Sequence, residues 1–247
     1  MFYEYTCKVS ARDTGLYGQC RPSGVLALLQ EAATGAACAL HISGPELFEQ
    51  YNALWMVARM WYHLDHPICW GDTVFIRTWH RGGCGAVLYR DFDLFIGDKQ
   101  VGEAVSSWVL VDASTRKLLR TSKIIANDTT GGTLCKSKLL SKLRLPEELE
   151  PAGQRAFHYS DADINGHVNN VKYADAITDA VHLESLLPGH YVSELQIGYL
   201  AECRVGESIS LSTCNKDGAW YVHGADETGV SRFDGWLTLS AIPQKSP

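Results

Sequence analysis

Eleven consecutive residues, Ser160-Asp161-Ala162-Asp163-Ile164-Asn165-Gly166-His167-Val168-Asn169-Asn170, gather two carboxylates, three asparagines and a histidine. Carboxylates and imidazole accept and release protons, and a side-chain amide can donate a hydrogen bond to a developing oxyanion. Gly166 permits a tight turn. Helical periodicity begins at about Asn170, so the cluster is expected at a helix N-terminus, where unpaired N–H groups and the dipole favour negative charge. Calcium is a second reading. Asp161, Asp163, Asn165 and Gly166 fill positions 1, 3, 5 and 6 of the EF-hand loop, but position 12, which needs a bidentate carboxylate, is Lys172. The plain alternative is a solvated turn that caps the helix.

The elements around this stretch occur twice. Residues 2–12 read as a strand, and Ser23 is a plausible N-cap. Val25, Leu28, Leu29, Ala32 and Ala36 then follow helical spacing to about Ile42, and a short second helix is expected over 45–52. Strands are expected over Ala53–Leu64, 73–79, 86–96 and 101–112, with Gly97-Asp98 as a hairpin turn. Residues 127–153, with Gly131-Gly132, lysines, Pro146 and Pro151, read as a linker. Beyond it come a short strand at Arg155–Tyr159, the polar loop, a helix from Asn170 to Leu187, and strands at about 191–203, 207–214, 218–225 and 229–241.

Local matches support a duplication. Asp13, Gly15, Leu16, Tyr17, Gly18 and Gln19 align with Asp161, Asp163, Ile164, Asn165, Gly166 and His167. Gly71-Asp72-Thr73-Val74 aligns with Gly206-Glu207-Ser208-Ile209, and Trp108 with Trp236. The first copy keeps the turn but carries Gly15, Tyr17 and Gln19 where the second has Asp163, Asn165 and His167. One reactive site per chain, in the second half, is the consequence. The expected organisation is an N-terminal α+β domain over 1–126, a linker over 127–153 and a C-terminal domain over 154–247. A helix wrapped by an antiparallel sheet, repeated in tandem, is the double hotdog arrangement.

Bulk composition narrows the function classes. The 247 residues are 46% hydrophobic and 20% charged, as in a globular protein with a substantial core. No stretch approaches the ~18 apolar residues that span a bilayer. The N-terminus lacks the pattern of a signal or transit peptide, so a cytoplasmic protein is expected. Eight cysteines show no CxxC pair and no zinc spacing, and no metal site is expected. A net charge of −6 argues against nonspecific nucleic-acid binding. Residues 116–144 nevertheless carry eight basic side chains against the single acid Asp128. Such a tract suits an anionic partner or an exposed linker.

The run Asp161 to Tyr173 resembles the signature of the acyl-acyl-carrier-protein thioesterases of plants and bacteria. Arg90-Asp91-Phe92, Trp108-Val109-Leu110-Val111-Asp112, and Tyr199-Leu200-Ala201-Glu202-Cys203 fit the same pattern. The resemblance extends over almost the whole chain. It implies a tandem hotdog that hydrolyses fatty acyl chains from the phosphopantetheine arm of acyl carrier protein, in fatty acid metabolism and without a cofactor. It also implies a catalytic network of Asp163, Asn165, His167 and Glu202. Cys203 matches a cysteine once favoured as the nucleophile. The missing transit peptide points to a bacterial member. Gly198 departs from the bulkier residues usual at its place.

Within that resemblance the chemistry can be assigned. Glu202 or Asp163 takes a proton from water and His167 relays it, or Asp163 attacks directly. Asn165 donates to the carbonyl, and the backbone N–H groups of Val168 and Asn169 are expected to hold the oxyanion. On a regular strand Glu202 and Cys203 point to opposite faces, and Cys203 shares its face with Leu195, Ile197 and Tyr199, which suits a core thiol. Lys136, Lys138 and Lys142 are candidates for steering the acidic carrier protein. Three other functions use the same sequence features: an acyl-CoA thioesterase, a non-enzymatic acyl-thioester binder, and a hotdog hydratase or dehydratase. The oligomeric state is open, a homodimer included.

Overall fold

The computed structural model describes residues 2–120 and 140–243. The chain divides into two compact units. One takes its described residues from Met1–Lys8, Ala27–Tyr62 and Asp72–Leu140, the other from Val9–Leu26, His63–Gly71 and Ser141–Pro247.

In the first unit, strand β1 (Tyr3–Lys8) precedes helix α1 (Pro22–Ala39), which enters the unit at Ala27, and helix α2 (Gly44–Tyr51); strands β2 (Ala53–Leu64), which leaves it after Tyr62, β3 (Thr73–Cys84), β4 (Val87–Ile96), β5 (Lys99–Asp112) and β6 (Leu118–Leu119) follow. The sheet order is β1-β3-β4-β5-β2, with β6 on β5. β1 pairs with β3, β3 with β4 and β4 with β5, all antiparallel. Helix α1 buries Val25, Leu28, Leu29, Ala32 and Ala36, the stripe that helical spacing predicted, and Ala33 beside it. Val74, Ile76, Phe92, Leu94 and Ala104 are fully buried in the sheet. Ser43 and Glu46 form a capping box that starts α2. Leu47 of that helix joins Ile42, Ala53 and Leu110 in one apolar cluster.

The second unit contains β7 (Glu150–Ala156), α3 (Lys172–Ala180), α4 (Leu183–Leu186), β8 (His190–Tyr199), β9 (Ser208–Lys216), β10 (Ala219–Asp226) and β11 (Ser231–Ala241). Its sheet order is β8-β11-β10-β9-β7, antiparallel throughout. Tyr173, Ala174, Ile177 and Ala180 form the buried face of α3. The helix lies so close to the sheet that a Cβ on Gly235 would sit 2.4 Å from Ile177 Cδ1. Burying Ile177 completely contributes about 2–3 kcal/mol, and glycine at 235 is the condition for that packing.

Several boundaries differ from expectation, among them the end of β8, which stops at Tyr199 short of the expected 203. β7 begins at Glu150, inside the stretch read as a linker over 127–153. It is the edge strand, and the register shifts between Pro151 and Gln154, so the missing N–H of the proline is tolerated there. The helix expected over Asn170 to Leu187 is shorter and broken. Asn169 Oδ1 accepts the N–H of Val171, an Asx-type bond that delays the start, and His182 is left-handed (φ 51°) between α3 and α4. Finally, Val9–Leu26 and His63–Gly71, segments of the first half of the sequence, belong to the second unit. Among the described residues no single helix is long and apolar enough to cross a membrane.

Candidate active site

The loop from Asp161 to Asn170 is held by its own carboxylates. Asp161 is buried; Oδ2 accepts the N–H of His158 at 2.9 Å, and Oδ1 lies 3.4 Å from Arg155 and 4.0 Å from Lys172. It is a structural anchor. Asp163 closes the tip. Its N–H donates to the carbonyl of His167 at 2.8 Å, and Gly166, at φ 76°, turns the chain between them. The Asp163 carboxylate accepts the N–H groups of Asn165 (2.8 Å) and His167 (3.3 Å) and the side-chain amide of Asn165 (3.3 Å). Asp163 therefore orients both Asn165 and His167.

His167 Nε2 lies 3.3 Å from Glu202 Oε2, with side chains 21% and 35% exposed. Both reach solvent, as a site that takes substrate must. Glu202 follows the end of β8 and is not on a strand, so its position depends on what fastens the segment. Three anchors do so. Val168 N–H donates to the Cys203 carbonyl at 2.9 Å, Cys203 N–H donates to Tyr173 Oη at 3.0 Å, and an Arg232 guanidinium donates to the Glu202 carbonyl. Arg232 is itself held by Asp226 at 2.8 Å and Glu207 at 3.5 Å. Tyr173 packs edge-on against Tyr199 and Phe233, at 5.5 Å from each ring.

The structure thus brings together Asp163, Asn165, His167 and Glu202. It also decides between the two readings of Cys203, core thiol and nucleophile, and corrects the oxyanion expectation. Cys203 is 0% exposed, and burial pushes its thiol pKa up, away from the thiolate a nucleophile needs. What Cys203 contributes is a backbone fastened at both N–H and C=O. The N–H groups of Val168 and Asn169 are not free for an oxyanion: they donate to the carbonyls of Cys203 and Asp161. The helix begins beyond them, so its unpaired N–H groups are not theirs.

Tyr173 and Arg232 are functional supports that the sequence reading did not single out. Tyr173 closes the signature run and could have been found there; Arg232, alone in the last strand, carries no sequence signal. Lys142 is exposed, and Lys136 and Lys138 lie outside the described residues. Among the described residues no group of His, Cys, Asp and Glu could hold a metal ion.

Against known proteins, the N-terminal domain profile of acyl-ACP thioesterases matches residues 1–128, and the C-terminal domain profile matches residues 151–231. A dodecanoyl-[acyl-carrier-protein] hydrolase of Cinnamomum camphora is 26% identical over 82% of this chain and 55% of its own length. An oleoyl-acyl carrier protein thioesterase of Arabidopsis thaliana is 26% identical over 78% of this chain and 58% of its own. The chain spans about half the length of the curated relatives it matches. The fold is shared with an acyl-ACP thioesterase from Bacteroides thetaiotaomicron, at a TM-score of 0.88 and 20% identity over 97% of this chain and 98% of that one. It is also shared with a 12:0-ACP thioesterase from Umbellularia californica, at a TM-score of 0.81 and 19% identity over 97% of each chain.

Proposed function

The chain belongs to the acyl-ACP thioesterase family, and from that premise we propose that it hydrolyses the thioester between a fatty acyl chain and acyl carrier protein, releasing the free acid and the carrier's thiol. The observation that carries this reading is the His167–Glu202 pair at 3.3 Å, reached from solvent and oriented by Asp163.

Glu202 removes a proton from water as the water oxygen adds to the thioester carbonyl carbon. Asn165 uses one amide N–H on Asp163 and has the second to donate to the oxyanion that forms. The C–S bond then breaks. The proton held by Glu202 passes through His167 to the departing sulfur, which regenerates the carboxylate. Asp163, engaged by two backbone N–H groups and an amide, orients these groups and does not attack. We assign the protein to a reducing, cytoplasmic compartment of a bacterium. Six described cysteines, all free, support the reducing part of that assignment.

The test is thiol release from a panel of acyl-carrier-protein thioesters, butyryl to stearoyl, with the corresponding acyl-CoA thioesters beside it. Release from the carrier-bound series by wild type and Cys203→Ala, and its loss in His167→Ala, is expected. Faster turnover of the CoA series would replace the partner. Loss of release in Cys203→Ala alone would replace the mechanism.

A further inference from the structure

The edge strands β1 and β7 are guarded differently. β7, whose strand neighbour among the described residues is β9, carries Pro151, a register shift between Pro151 and Gln154, and Gly153 at φ 95°. Prolines and bulges stop a sheet edge from pairing with another chain. β1, whose strand neighbour among the described residues is β3, has neither. Tyr3-Glu4-Tyr5-Thr6-Cys7-Lys8 contains no proline or glycine and keeps an unbroken register from Tyr3↔Thr78 to Lys8↔Thr73. Alternate residues of such a strand give their N–H and C=O groups to β3, and the others point them away from the sheet. β1 therefore presents a short, regular ladder with one side unfilled.

The side chains along this edge select what would fill it. Tyr3, Tyr5 and Cys7 are half-buried on the face toward α1, where a Cβ on Gly35 would overlap the Tyr3 hydroxyl. Glu4, Thr6 and Lys8 are exposed on the opposite face. The other charges beside the strand are Arg77, 3.3 Å from Glu4, Asp93 opposite Arg77 on β4, Asp72 next to the Thr73 that faces Lys8, and Glu31 of α1 near Tyr5. The edge is of mixed sign, so its net charge selects no partner; the order of its charges does. In antiparallel self-pairing, two edge residues face each other only if both point their backbone groups outward, so the register moves in steps that keep alternate residues together. Centred on Thr6, the pairing sets Glu4 opposite Lys8 of the second copy and Lys8 opposite its Glu4. Centring on Glu4 or Lys8 sets like charges opposite each other, and centring on Tyr5 or Cys7 sets no charges opposite each other. Opposite charges directly across a strand pair stabilise it and like charges destabilise it.

We propose that β1 pairs antiparallel with β1 of a second copy of this chain, centred on Thr6, and so continues the sheet across a two-fold axis. The contact is isologous: the same six residues meet themselves, with Glu4 and Lys8 as reciprocal partners. It is small beside the roughly 1,600 Å² of a standard interface, so the dimer is weak and forms as protein concentration rises. β1 carries none of the reactive residues, and the inference is independent of the reaction proposed above.

Sedimentation velocity of the full chain over a concentration series tests this. Wild type should pass from monomer to dimer as concentration rises. Lys8→Glu sets carboxylates opposite each other and Glu4→Lys sets ammonium groups opposite each other, and each alone should raise the dimer Kd about tenfold or more. Mixed in equal amounts, the two variants should recover dimerisation, because both contacts are then again of unlike charge. Thr6→Cys, at the centre, brings two thiols to the roughly 4.5–5.5 Å Cα separation of facing residues, which a disulfide spans. Mild oxidation should give a covalent dimer that wild type, with Cys7 facing Tyr5 of the second copy, does not give. A wild type that stays monomeric throughout the series overturns the proposal. So does a dimer that both charge variants keep at the wild-type Kd, or a mixture that stays monomeric while each variant has native circular dichroism. Absence of the covalent dimer in Thr6→Cys overturns it as well, and that result alone decides if a charge variant does not fold.

Discussion

The loops around Gln19 and His167 have nearly the same backbone and share almost none of their working side chains. Gly15 N–H donates to the Gln19 carbonyl at 2.8 Å, as Asp163 N–H does to that of His167. Cys20 N–H donates to the Ile68 carbonyl at 2.8 Å, and Val168 N–H to that of Cys203 at 2.9 Å. Arg21 N–H donates to the Asp13 carbonyl as Asn169 N–H does to that of Asp161, at 2.9 and 2.8 Å. Isolated bridges Thr14↔Cys20 and Gln19↔Cys69 repeat as Ala162↔Val168 and His167↔Arg204. On this common frame Gly15, Tyr17, Gln19 and Pro67 stand where the second loop has Asp163, Asn165, His167 and Glu202. The frame is therefore built by main-chain hydrogen bonds, and the reactive groups are additions to it. Gln19 shows the alternative use of the same place: it is buried and its amide donates to the His190 carbonyl at 2.8 Å, holding structure where His167 faces Glu202.

Several measurements would break or sharpen this contrast. The largest effect is expected for Glu202→Gln, which keeps the shape and removes the base. Activity on acyl carrier protein should fall on the order of a thousandfold, equivalent to about 4 kcal/mol. The thermal midpoint should not move, because the frame does not depend on Glu202; a large drop in the midpoint would mean that frame and chemistry are inseparable.

A second histidine gives the next effect. Burial and the neighbouring Arg90 push the His80 pKa down to about 3, so it stays neutral in the folded chain. Unfolded, it takes up a proton below about 6.5. Its effect on stability is therefore absent above that pH and grows as pH falls toward 3, with a slope of up to about 1.4 kcal/mol per pH unit. His80→Gln retains an acceptor for Arg90 and should flatten the loss of stability between pH 6 and 4 in denaturant titrations, without changing activity at neutral pH. An unchanged acid limb would contradict the burial of His80.

Tyr173→Phe probes how the carboxylate is positioned. It leaves the buried N–H of Cys203 without its acceptor, and kcat should fall about tenfold at nearly constant KM. An unaltered kcat would show that Val168 and Arg232 are sufficient anchors. The smallest effect belongs to Gln19→Ala: about 1 kcal/mol of stability lost, seen as a shifted urea midpoint, with kcat preserved. A loss of activity as large as that of Glu202→Gln would mean that the two loops are not divided as described.

The sequence by itself determined which loop could react and that a disarmed copy of it existed. Asp163, Asn165 and His167 are close along the chain, and a tight turn at Gly166 keeps close residues together. The strands were legible for a related reason: β2 (Ala53–Leu64) and the Gly97-Asp98 hairpin are written in local propensities. Helix α3 is shorter than its periodicity predicts because Asn169, a polar residue within the expected signature, spends its side chain on Val171, and Pro151 hides the start of the edge strand β7, of which the sequence shows only the part from Arg155. Only the tertiary structure decided the rest. It placed Glu202, 35 positions beyond His167 in the chain, opposite that imidazole, using Tyr173 from α3 and Arg232 from β11. It also committed the amides of Val168 and Asn169 and buried Cys203. Each of these depends on which carbonyl or ring meets which N–H across the fold, and hydrogen bonds between distant segments leave no period in the sequence.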